Sequence, residues 1–254
     1  MKSRVGKVVL QMSAAVVVLS GCTTASDDEV RVMMGEGLAV LPAESLTDWV
    51  TYVDAVVVAK VTEKAQSREA VSLDERESGE GYAVQLVTFD VLETLWHPDT
   101  YEAPPESFTM SYNAYVWTNG DVDKAIPLVE PDAVRFEVGG TYLLPLVDYA
   151  TFEEWAPILP SSVLPFEDGI AGQGETILGG DSKPSPRFAL SGPAQQLWGL
   201  DRQEIINKLN TTPPDPYATP FADLPAEEQY QQAVRAAEAD RSDGIEEPDT
   251  RFND

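Results

Sequence analysis

The sequence predicts a mainly β protein: a small antiparallel barrel with short C-terminal helices and an acidic tail. Three observations lead there. Runs of β-branched and aromatic residues with period-two character recur between residues 53 and 166. The segments joining them are polar and rich in Gly and Pro. No helix-length apolar pattern separates one run from the next, which disfavours a parallel βαβ arrangement. At 254 residues and 43% apolar content, the chain has the material for a sizeable core.

Taken in order, Leu46, Trp49 and Val50 stand at helical spacing after Ser45, with Asp48 placed to complete a capping box. A short helix over 45–52 follows from that. Residues 53–63 (Val-Asp-Ala-Val-Val-Val-Ala-Lys-Val-Thr-Glu) contain no breaker and read as a strand, buried on both faces at its start and half-exposed at its end. Residues 64–81 are charged and read as a solvated loop. In the strand expected over 82–96, Val87, Phe89 and Val91 alternate with polar residues, while Val84 and Leu86 have the opposite parity. Such a change of face calls for a β-bulge or a coiling strand. His97-Pro98 ends it. Phe108, Met110 and Tyr112 alternate in another strand, Gly139-Gly140 turns the chain into a strand over 141–149, and the prolines of 155–166 confine an irregular strand to an edge. Glycines between 169 and 180 fit a surface hairpin and lack the spacing of a phosphate loop. Asp201 and Glu204 form a second capping-box pair, opening an amphipathic helix with Ile205 and Leu209 on its apolar edge. Residues 211–225, with their prolines, read as a semi-rigid linker. A last helix over 225–241 has only Tyr230, Val234 and alanines as an apolar face.

The amino terminus carries an address. Lys2, Arg4 and Lys7 precede an apolar stretch from Val8 to Leu19, broken only by Gln11 and Ser13. At about 12 residues it is too short for the ~20-residue span of a bilayer-crossing helix, and the layout is that of an export signal. The stretch ends Leu19-Ser20-Gly21-Cys22, which resembles the lipobox of bacterial lipoproteins. The resemblance implies cleavage between Gly21 and Cys22, a diacylglycerol thioether on Cys22, and a new amino terminus open to acylation. The partner so implied is membrane lipid, and the location is the cell membrane, lipid-anchored on its extracytoplasmic face. Cys22 is the chain's single cysteine. Residues 53–63, 87–96 and 136–146 also resemble a pattern in uncharacterised exported bacterial proteins, where D-A-V-V-V, T-F-x-V and G-x-x-Y-L-L strands build a barrel of the OB or TIMP-like type. The organisation expected is a signal peptide over 1–21, a lipidated tether over 22–44, an OB-like barrel domain with flanking helices over 45–209, and a Pro-rich linker with an acidic, partly helical tail over 210–254.

Composition narrows the chemistry. With 17 basic and 43 acidic residues the net charge is −26, so the chain repels phosphate and is not expected to bind nucleic acid. A single cysteine excludes an intrachain disulfide and multi-thiolate metal sites, and a single histidine excludes sites built on several imidazoles. No cofactor is implied. Asn119, Asp121, Asp123 and Glu130 have the 1, 3, 5, 12 spacing of a calcium loop, but Lys124 stands where the turn needs glycine, so an ordinary acidic turn explains them as simply. His97, beside Pro98 at a strand end and without a nucleophile-elbow motif, reads as a turn residue. Tyr112, Tyr115 and Trp117 are candidate binding residues if exposed together, and core residues otherwise. The functional expectation is a membrane-anchored extracytoplasmic lipoprotein serving as a binding or envelope-interaction module for a protein or glycan. The alternative is an exported carboxylate-dependent hydrolase, calcium-assisted in one version. A third account makes the acidity an adaptation to salt.

Overall fold

A computed structural model describes residues 33–34, 40–67, 81–99, 103–117, 126–129, 134–149, 154–172, 175–177, 184–186 and 192–243. Its strands are β1 (Met33–Met34), β2 (Ala55–Ser67), β3 (Gly81–Trp96), β4 (Ser107–Trp117), β5 (Ile126–Val129), β6 (Thr141–Tyr149), β7 (Glu154–Pro157), β8 (Leu164–Glu167), β9 (Ile170–Ala171), β10 (Glu175–Ile177) and β11 (Pro184–Pro186). The helices are α1 (Leu46–Tyr52), α2 (Gly192–Leu197), α3 (Arg202–Thr211) and α4 (Ala226–Asp243), with 3₁₀ turns at Pro160–Ser162 and Thr219–Phe221. The class is mainly β, as the sequence predicts.

Nine strands form one sheet in the order β1-β5-β4-β3-β2-β6-β8-β9, with β7 pairing beside β8 along β6. All its pairings are antiparallel except β1 with β5. A separate antiparallel pair joins β10 and β11. The ladder of the main sheet does not close on itself among the described residues. Instead it curls, and Glu154 of β7 accepts a hydrogen bond from the backbone N–H of Ser111 in β4. Thus β4, β3, β2, β6 and β7 wrap one interior, and a side chain bridges the seam where a ladder would be needed for closure.

The curl has a local cause. The β2–β3 register shifts between Val56 and Val57, between Val58 and Ala59, and between Val61 and Glu63. The β3–β4 register shifts between Val84 and Gln85. Each irregularity sets an unmatched residue into one strand, which bends it and increases its twist. The single bulge expected from the parity change in β3 is therefore one of four register breaks, and they fall on both edges of that strand. Of the loop expected over 64–81, residues 64–67 belong to β2 and Gly81 opens β3; residues 68–80 lie outside the described residues.

Strand β2 is hydrogen-bonded on both edges, and its alternate residues feed two cores. Ala55, Val57, Ala59 and Val61 point inward to meet Val87, Phe89, Phe108, Met110, Phe136, Tyr142, Leu144 and Leu146. Here Phe89 stacks on Phe108 and meets Phe136 edge-on, both at 5.1 Å between ring centres. The turn delivering β6 needs Gly139, at φ +88°, a conformation that a side chain disfavours. Its N–H donates to Val61 O at 2.8 Å, which fastens the turn to β2.

Val56 and Val58 face the opposite way, into a second core roofed by the helices: Leu46, Trp49 and Tyr52 of α1, Leu197 of α2, Ile205 and Leu209 of α3, and Ala226 and Ala233 of α4. Both expected capping boxes form. Ser45 and Asp48 close that of α1, and Asp201 and Glu204 that of α3. The segment read as a semi-rigid linker is tied down, since Asp215 N donates to Thr51 Oγ1 at 2.8 Å and Ala218 is fully buried. Helix α4, read as a solvated tail, lays Ala226, Gln229 and Ala233 on the body, and Tyr230 meets Tyr52 edge-on at 5.6 Å. Val234, expected on its apolar face, is exposed. Small alanines allow that close approach, and so a helix with little apolar bulk still docks.

Candidate binding cleft

The cleft begins with the change from α1 to β2. Helix α1 ends as Val53 turns extended and its N–H caps Trp49 O. Asp54 follows, its N–H donating to Leu146 O at 2.8 Å. The β2–β6 ladder starts one residue later, at Ala55 opposite Leu146, so β6 runs on past the end of its partner. Asp148 would be left with an unmatched donor. Asp54 supplies the acceptor from its side chain: Asp148 N donates to Asp54 Oδ2 at 2.7 Å. In effect the carboxylate extends the ladder by one rung.

That rung is charged and almost wholly buried, with Asp54 3% exposed. Burial pushes its carboxyl up from 3.8 to about 6; the Asp148 N–H opposes the shift, and the negative charge of Asp148 adds to it. Among the described residues Oδ2 alone of its two oxygens is hydrogen-bonded. Asp54 helps to line a cavity of about 200 Å³. The remaining wall is mostly apolar: Val50 and Val53 from α1 and its end, Pro98 just after β3, Pro214, Ala222 and Ala226. Asp99 and Gln229 also border it.

Opposite Asp54, the 214–222 segment is ordered around Asp215. Its Oδ1 accepts from Tyr217 N at 2.8 Å, and its backbone oxygen accepts from Thr219 Oγ1 at 2.9 Å. The Tyr52 hydroxyl donates to its Oδ2 at 3.4 Å. Burial first, and then the charges of Asp215 and Asp48, hold the Tyr52 phenol well above its ordinary range. Burial, with Glu227 and Asp54 adding their charges, pushes Tyr149 up to about 12. Both phenols therefore stay neutral and protonated at physiological pH. The cleft offers apolar surface and negative charge, and among the described residues no Lys, Arg or His lines it.

The site residues singled out from sequence fall elsewhere. Gly21 and Cys22, and the calcium-loop candidates Asn119, Asp121, Asp123 and Glu130, lie outside the described residues. Tyr112, Tyr115 and Trp117 are all on β4, opposite Gln85, Ala83 and Gly81 of β3. His97 ends β3 as expected; it is exposed, and its Nδ1 donates to Pro98 O at 3.0 Å. Among the described residues no group of three or more His, Cys, Asp or Glu is placed to hold a metal ion. From sequence alone Asp54 reads as part of a strand. Its signal was there: one carboxylate inside an otherwise apolar run, directly after an aromatic helix end.

Fold and cleft together define a curled antiparallel sheet with a helical roof and an anionic pocket where roof and sheet meet. No protein-family model matches the chain, and no curated protein matches it significantly.

Proposed function

We propose that this protein is a lipid-anchored extracytoplasmic binding module, held to its membrane by a diacylglycerol on Cys22 and presenting the Asp54 cleft to a ligand. The observation that carries the reading is the Leu19-Ser20-Gly21-Cys22 sequence, which sets the chain's only cysteine directly after a short apolar run with a basic start. Two acyl chains, at ~0.8 kcal/mol per buried CH₂, suffice for stable anchoring without help from a basic surface. That suits a chain of net charge −26, which an anionic leaflet does not attract. Among the described residues no helix is long and apolar enough to cross a membrane, so lipid rather than a described helix would do the holding.

The test is intact-mass analysis of native material with fractionation of a Cys22→Ser variant. The expected outcome is a diacylglyceryl mass on a chain starting at Cys22, and loss of that modification in the variant. A bare thiol, or residues 1–21 still attached, would overturn the reading.

One observation favours the exported hydrolase as a second reading. A carboxyl raised to about 6 has the proton affinity of a general acid–base, and Asp99 borders the same cavity. Turnover of a cell-wall or glycan substrate by the purified protein, abolished by Asp54→Asn, would establish it over the binding module.

A further inference from the structure

We propose that the Asp54 cleft binds a small organic cation, a primary ammonium or guanidinium group on a short apolar stem. This deepens the binding-module reading and rests on it, but it does not depend on the lipid anchor.

The argument starts from an unbalanced charge. Asp54 is nine-tenths buried, one of its oxygens is spent on Asp148 N, and the other takes no hydrogen bond among the described residues. A buried carboxylate without a counter-charge is unfavourable and would be relieved by a cation that also donates hydrogen bonds. Among the described residues the lining brings no such cation, and Asp99 adds a second negative group at the same cavity. Asp215, next to the lining residue Pro214, has its carboxylate already engaged by Tyr52 and Tyr217. The vacant electrostatic role therefore converges on Asp54.

The walls set the rest of the ligand. Val50, Val53, Pro98, Pro214, Ala222 and Ala226 offer apolar surface, which suits methylene groups and gives a hydrated inorganic ion little to replace its water. At roughly 30 Å³ per water-sized group, a cavity of about 200 Å³ admits a body of about six or seven such groups. That fits a butyl-ammonium or a propyl-guanidinium unit, of five and seven non-hydrogen atoms. The same chemistry reaches the cleft either as a free amine or as the end of a lysine or arginine side chain.

The experiment is calorimetric titration of the full chain in detergent, at a salt concentration that screens diffuse attraction to so acidic a surface. The probes are n-butylammonium, N-acetyl-lysine amide, and 1-butanol as the neutral isostere. Saturable one-to-one binding of n-butylammonium is expected, with 1-butanol at least about tenfold weaker, in line with a charge-assisted hydrogen bond. Asp54→Asn, in which Oδ1 can still accept from Asp148 N, should weaken the amine at least about tenfold. Ala222→Phe, which fills the cavity and leaves the carboxylate in place, should weaken it too. Tighter binding of the lysine amide than of butylammonium would assign the ligand to a peptide, and the reverse order would assign it to a free amine; either supports the proposal. No saturable amine binding to the wild type, equal binding of butanol, or undiminished binding in both variants would overturn it and leave the anchor untouched. Substrate turnover would instead sink the parent reading.

Discussion

The two faces of the central sheet are built to different standards. The inner core is closed around aromatic rings, and its one hydroxyl is matched twice: Tyr142 donates to Arg135 O at 3.0 Å and accepts from Glu137 N at 2.9 Å. The outer layer, between sheet and helices, buries Asp54 and Gln229, and it buries the Trp49 indole with no partner for Nε1 among the described residues. Buried polar groups left incompletely matched cost stability. A layer that retains them is where a ligand can gain something by arriving. The inner face holds the fold, and the outer face holds the chemistry.

The largest effect should come from the inner face. Phe89 is fully buried between Phe108 and Phe136, so Phe89→Ala removes a ring from a close-packed site. A loss of about 3–5 kcal/mol is expected by denaturant unfolding. A loss below about 2 kcal/mol would mean that the curled sheet collapses readily around the gap, and the contrast between a close-packed inner core and an incompletely matched outer layer would fail.

Asp54 tests the opposite face. Folding raises its carboxyl from 3.8 to about 6, so between those values the folded chain holds a proton that the unfolded chain has released. Stability contributed by this group therefore rises as pH falls through that window and is lowest above about pH 6. At 1.36 kcal/mol per pH unit, the ionised group costs on the order of 1–3 kcal/mol near neutrality. Asp54→Asn keeps an acceptor for Asp148 N and removes the charge. It should stabilise the protein by that amount at pH 7.5 and by almost nothing at pH 4. Equal effects at both pH values, measured by parallel urea titrations, would show that the carboxylate is not the source of the outer layer's weakness.

How much of this was written in the sequence divides along the same line. Period-two alternation located β3 and β4, a breaker-free β-branched run located β2, a Gly-Gly turn located β6, and side-chain oxygens three residues ahead of a carboxylate located α1 and α3, because those signals act over a few residues. Helix α2 carries no such local signal: its Gly192, at φ +60°, is demanded by a long-range fit, since a Cβ there would lie 2.6 Å from Glu44 O. The docking of α4 was equally illegible, for it depends on Ala226 and Ala233 meeting a surface more than a hundred residues away in the chain. The cleft is assembled from four separate segments, and no local pattern can announce such a meeting. What local sequence did contain was Asp54 in its apolar run, a mismatch between residue and surroundings that marked the site without describing it.

The smallest effect, and the finest test of the contrast, is at Trp49. Its ring is wholly buried on α1 among residues of the outer core, and its Nε1–H finds no acceptor among the described residues. Trp49→Phe discards that unmet donor, which relieves on the order of 1–3 kcal/mol of desolvation, and gives up part of a ring, which costs a comparable amount in packing. The two should nearly cancel, leaving the variant within about 1 kcal/mol of the parent. At Phe89, where no polar group offsets the loss, even a substitution to Leu should be clearly destabilising. If instead Trp49→Phe costs more than about 2 kcal/mol, the indole N–H is satisfied in the intact protein by a group outside the described residues, and the roof is better matched than its described part indicates.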